Sequence, residues 1–214
     1  MSQLVRGCVT AAMMVTLVLS GATLQAQVGK SQGVEDVNTA AEKDLATMPH
    51  MTPALARTLT AQRPFNSILD LHKLLLSQGL TAEQATAFYG KAFVHINLNT
   101  ATAEEILLVP GAGRRMTHEF EEYRPWKTYA QFDKEIGKYV GPDATARLAQ
   151  YTFIPMNPNT AADAELQTVP GASAAMLGVI RSARPYASIA ALEQALTKAT
   201  TATEGKRIAR YFAM

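Results

Sequence analysis

The sequence predicts an all-α fold: three tandem copies of one unit of about four short helices each, after a signal peptide. Three observations carry this reading. Landmarks recur with a period of 60 to 61 residues, apolar residues stand four apart between proline and glycine breaks, and the N-terminal apolar run is too short to anchor in a bilayer.

The repeat is read from the turns. Asp36-Val37-Asn38-Thr39-Ala40 matches Asn97-Leu98-Asn99-Thr100-Ala101 and Asn157-Pro158-Asn159-Thr160-Ala161. Asn38 to Asn99 is 61 residues and Asn99 to Asn159 is 60. The register holds at Leu45, Ile106 and Leu166, at Pro49, Pro110 and Pro170, and at the Arg-Pro-aromatic triplets beginning at Arg63, Arg124 and Arg184. The units are therefore drawn at 36–96, 97–156 and 157–214.

Within the middle copy, Thr102 and Glu105 make a capping box that opens a helix to about Val109, and Gly111-Ala112-Gly113 breaks it. A second helix begins near Arg114, turns Met116 and Phe120 to one face and stops before Pro125. Leu55 with Leu59 and Met176 with Ile180 repeat that pair. A third helix starts after Thr128, whose counterparts Ser67 and Ser188 are also good N-caps, and buries Tyr129, Phe132 and Ile136. A fourth covers about Asp143 to Tyr151. No stretch reads as a convincing strand.

Residues 1–26 read as the signal peptide: Arg6 supplies the positive start, Val9 to Leu19 the apolar run, and cleavage is expected after Ala22 or Ala26. The mature chain then carries no stable membrane span. It also loses the only cysteine, Cys8, so neither disulfides nor a Cys-based zinc site can support it. Its charge is nearly balanced, since removing Arg6 from 20 basic residues leaves 19 against 18 acidic ones. Only the third unit is net positive, with 6 basic and 4 acidic residues.

The unit resembles the tandem helix-hairpin-helix domain of ComEA-type competence proteins, exported receptors that hold incoming double-stranded DNA at the bacterial cell surface. The Asn-Thr-Ala openings, Glu105-Ile106, the hairpin Val109-Pro110-Gly111-Ala112-Gly113 and the segment from Trp126 to Phe132 carry the resemblance. It covers nearly the whole mature chain and is most specific in the middle copy. Family members commonly have one such unit behind a membrane anchor, so three units behind a cleavable signal depart from the pattern.

The resemblance implies binding to the DNA phosphate backbone without sequence readout, because backbone N–H groups and the helix dipole at a hairpin's second helix favour an anion. Gly111, Ala112, Gly113, Arg114 and Arg115 are the principal candidates. Gly171, Ala172 and Ser173 form a weaker third-copy site, with Ala174 and Ala175 in place of the arginines. In the first copy Pro49-His50-Met51-Thr52 has neither glycine nor arginine, and no phosphate site is expected there. Each feature has a plain structural reading beside the functional one. The glycines serve a tight turn, and Arg114 and Arg115 pair with Glu119 on the surface. Arg63, Arg124 and Arg184 offset helix dipoles, Phe65, Trp126 and Tyr186 sit in the core, and the four histidines lie on the surface.

No paired nucleophile and base, nucleotide-binding glycine loop, carboxylate cluster or metal-ligand histidine spacing is present, so no enzyme activity, cofactor or metal is expected. Two functions remain. One is an exported periplasmic or secreted protein that binds the double-stranded DNA phosphate backbone, as in competence-type DNA uptake. The alternative is a non-catalytic repeat scaffold for an envelope protein, as in the exported extrinsic photosystem subunit that the fold also resembles.

Overall fold

The structure, a computed structural model, describes residues 27–29 and 33–214; the signal segment 1–26 and its cleavage point lie outside the described residues. The fold is mostly helical. β1 (Glu35–Asp36) leads into α1 (Glu42–Leu45), α2 (Pro53–Ala61), α3 (Ile68–Ser77) and α4 (Ala82–Tyr89). β2 (Ala92–Phe93) and β3 (Ile96–Asn97) come next, then α5 (Ala103–Leu107), α6 (Arg114–Glu122), α7 (Tyr129–Ala149) and β4 (Thr152–Phe153). α8 (Asp163–Leu166), α9 (Ala174–Ser182), α10 (Ile189–Ala199) and α11 (Ala202–Ala209) follow. Among the described residues no helix is long and apolar enough to cross a membrane.

Local chemistry explains the helix limits. The hydroxyls of Ser67, Thr128 and Ser188 accept the backbone N–H of Leu69, Gln131 and Ala191 and so start α3, α7 and α10. Thr102 and Glu105 exchange both bonds of the capping box at α5. α7 is interrupted at Gly141, where φ is 76° and Pro142 follows, so it is two helices joined at a kink.

The strands are a correction to the sequence reading. β1 pairs with β2 and β3 with β4, both in parallel, and Met156 bridges Phe212 in the same sense. Each ladder joins the beginning of a segment to its end. Two residues are too few to show the alternation by which strands are read.

Two further hydrogen-bond patterns recur in all three segments. Asn38, Asn99 and Asn159 each clamp the backbone of Phe65, Trp126 or Tyr186, accepting its N–H at 2.6–2.7 Å and donating to its carbonyl at 3.0 Å. The three aromatic rings are buried. Arg63, Arg124 and Arg184 donate to the carbonyls of Ala40, Ala101 and Ala161 at 2.6–2.8 Å. These arginines do not merely offset a dipole, as their position at helix ends suggests: each ties the second helix of its segment back to the opening turn.

The core is divided unequally. One apolar cluster runs from Val37 to Ile154 and joins segments 36–96 and 97–156, with Phe88, Phe93, Trp126 and Phe132 at its centre. A second holds segment 157–214 and takes in Val28 from the N-terminal side. Val28 is fixed by a bond from its N–H to Thr168 Oγ1, while Gly29 N–H donates to Thr152 O. Met176, expected inside with Ile180, is only half-buried; Leu177 takes the inner position.

The first and third segments also meet at a buried polar contact. Asp36 Oδ2 accepts from His95 Nδ1 and from the Tyr211 hydroxyl, each at 3.1 Å, and Asp36 Oδ1 accepts from Asn38 N–H. Burial pushes the Asp36 carboxyl up, and the His95 hydrogen bond and charge, the Asn38 N–H and Arg210 outweigh it, leaving the group below its ordinary value. His95 is thus buried, against the surface placement expected from sequence.

Candidate nucleic-acid interface

The three hairpins share one backbone turn and differ in what surrounds it. At its apex the left-handed conformation is taken by His50 (φ 59°), Gly111 (φ 87°) and Gly171 (φ 69°). One residue further on, Met51, Ala112 and Ala172 N–H donate to the carbonyls of Met48, Val109 and Val169. The turn therefore persists in the first segment without a glycine, at a steric cost of about 1 kcal/mol or more for a residue that carries a Cβ.

The position before the second helix separates the three hairpins. Thr52 Oγ1 accepts the Leu55 N–H at 3.1 Å, and Ser173 Oγ accepts the Met176 N–H at 3.2 Å. Both hydroxyls occupy the amide that an incoming anion would use. Gly113 is extended (φ −92°, ψ −177°) and gives α6 no side-chain cap. A Cβ there would meet nothing within 4 Å, so neither strain nor packing demands glycine at 113. The result is a nine-residue helix whose first amides point out of the hairpin uncovered by a side chain.

Gly111, Gly113, Arg114 and Arg115 are exposed at this end, and Ala112 is tucked into the core beneath them. Arg114 makes no ion pair among the described residues. Arg115 does not pair with Glu119 as a surface reading would have it. Its guanidinium lies over the ring of Tyr139, 4.8 Å from the centroid, a contact of about 0.5–1 kcal/mol. The Tyr123 and Tyr139 hydroxyls share a hydrogen bond of 3.0 Å. That bond and one to Glu119 push the Tyr139 phenol up. Glu119 is buried, and its Oε2 has no hydrogen-bond partner among the described residues. α6 is thus held against α7 by a Tyr-Tyr-Glu contact with Arg115 laid across its outer side. Spacing gave no sign of these tyrosines, because the contact joins helices separated by the Arg124-Pro125 turn.

The third hairpin is fastened. A Cβ on Gly171 would come within 2.6 Å of Thr39 Cγ2 and 3.0 Å of Arg207 Nη2, so the turn lies against the first segment and against α11. Arg207, 3% exposed, donates to Pro170 O at 2.7 Å and holds Glu204 through Nε and Nη2. Burial works against the Arg207 charge, and the Glu204 hydrogen bonds outweigh it. Among the described residues no group of three or more His, Cys, Asp or Glu could hold a metal ion.

Comparison of the chain with family models, curated proteins and solved structures finds no match.

Proposed function

We propose that this chain is an exported protein of three tandem helix-hairpin-helix units that holds the backbone of double-stranded DNA without reading its sequence, through the middle hairpin. The observation that carries the reading is Gly113. Where the other two hairpins spend a hydroxyl on the first amides of the second helix, the middle one leaves them uncapped beside the exposed pair Arg114 and Arg115. Uncapped amides, the helix dipole and the two cations that begin the helix belong to one end of α6, which suits a phosphate. The third hairpin contributes little in this reading, because Ser173 covers its amide and Arg207 is committed to Pro170 and Glu204.

The test is duplex binding by fluorescence anisotropy at two salt concentrations. The wild type should bind in the micromolar range and weaken with salt. Arg114→Glu with Arg115→Glu should remove most of that affinity and lower the salt slope by about two, equally for unrelated sequences. Unchanged affinity in the folded double variant would reject the hairpin as the site. No wild-type binding at low salt would instead support the scaffold with an envelope-protein partner, which the balanced overall charge favours.

A further inference from the structure

We propose a second, separate anion site: a cleft where the three segments meet that takes a small oxyanion, a phosphate or a carboxylate, on Arg210. The cleft has a volume of about 180 Å³ and is lined by Asn66, His95, Asn97, Thr100, Glu105 and Arg210, among others. At roughly 30 Å³ per water it has room for an ion of a few atoms and its hydration, below the size of an ordinary organic-ligand pocket.

The hydrogen-bonding inventory of the wall decides the ligand class. The carboxylate is engaged at both oxygens: Glu105 Oε1 accepts from Ser67 Oγ at 2.5 Å and Oε2 from Thr102 N–H at 3.0 Å. Asn97 Oδ1 accepts from Asn99 N–H, and His95 O from Arg210 Nη2. Arg210 Nη1 is buried with no hydrogen-bond partner among the described residues. No protein bond from the Asn66 amide, Asn97 Nδ2 or the Thr100 hydroxyl is found among them either. A wall whose carboxylate is already engaged and whose guanidinium keeps an unpartnered N–H calls for a ligand made of acceptors.

The guanidinium is also held still. Arg210 Cζ lies 5.6 Å from the centroid of Phe153 and 5.2 Å from that of Tyr211, and Nη2 is bonded to His95 O. The fork thus needs no further ordering, and an anion in the cleft has to part the wall only far enough to reach the buried Nη1. Of the negative groups nearby, Asp36 is occupied by His95, Tyr211 and Asn38, and Glu105 is the like charge on the wall.

The experiment is calorimetric titration of the whole mature chain with inorganic phosphate and, separately, with acetate. One saturable site with micromolar to millimolar affinity is expected, and the tighter of the two ions identifies whether the natural ligand carries phosphate or carboxylate. Arg210→Gln should weaken binding at least tenfold. Asn66→Ala with Thr100→Val, at exposed positions that leave the core intact, should weaken it several-fold, and Glu105→Gln should tighten it by removing the like charge while keeping the cap. Arg114→Glu with Arg115→Glu should leave it unchanged, so this site and the hairpin succeed or fail separately. The proposal is overturned by the absence of a saturable site for either ion, or by equal affinity in the wild type and the folded Asn66→Ala, Thr100→Val variant.

Discussion

The middle and third hairpins have the same turn and opposite circumstances. Gly111 and Gly171 both adopt a positive φ, yet a Cβ at Gly111 would meet nothing within 4 Å while one at Gly171 would run into Thr39 and Arg207. Helix α6 begins on a bare glycine and α9 on a serine that caps it. Even the matching arginines diverge: Arg207 is buried against Pro170, while Arg147, 60 residues earlier, is exposed. A motif can therefore be kept for two reasons. In the third segment the hairpin is part of the packing, and in the middle segment its outer face is spared from it.

That contrast can be broken by substitution. Arg207→Ala should cost about 2–3 kcal/mol in urea unfolding, because it leaves Pro170 O and Glu204 without their buried partner, whereas Arg147→Ala should stay within about 0.5 kcal/mol. Equal effects would mean that the third hairpin is not fastened by Arg207. Next in size, Gly171→Ala should destabilise by about 2 kcal/mol and Gly111→Ala by about 1 kcal/mol. Both suffer the left-handed strain and only the first adds a clash, so thermal melts should rank them in that order.

Gly113→Ser tests the cap itself. It should stabilise α6 by a few tenths of a kcal/mol while weakening duplex binding several-fold, since the hydroxyl takes the amide that the phosphate needs. Tighter binding would count against the amides as the contact. Adding charge to the third hairpin with Ala174→Arg and Ala175→Arg should help binding only slightly, and more when Ser173→Gly is made with it. The smallest effect belongs to the first hairpin: His50→Gly relieves the left-handed strain and should raise stability by up to about 1 kcal/mol without altering DNA affinity.

Much of the helical pattern was legible because its signals are local. Thr102 with Glu105, Ser67, Thr128 and Ser188 announce helix starts within three residues, and Pro125 and Gly141 announce breaks. The ladders and the polar junction were not legible, since Glu35 meets Ala92, and Asp36 meets Tyr211, across long stretches of intervening chain. His95 illustrates the limit: its neighbours in sequence leave its burial open, and only its partners far along the chain, Asp36 at the start of its own segment and Arg210 in the third, show it. For the candidate site, the glycines and arginines could be read directly. The lost cap at Gly113 was also written in the sequence, as Thr52, Gly113 and Ser173 in register, but its meaning depends on which amides the hydroxyls reach.

The central claim is that the middle hairpin, and not its two relatives, presents free amides to phosphate. Amide chemical-shift mapping by NMR during titration with a short duplex tests it most directly. The account predicts that the largest shifts fall on Gly113 to Met116, with the equivalent amides at Leu55 and at Ala174 to Met176 nearly still. Shifts centred on the third hairpin, or spread evenly over the three, would contradict it.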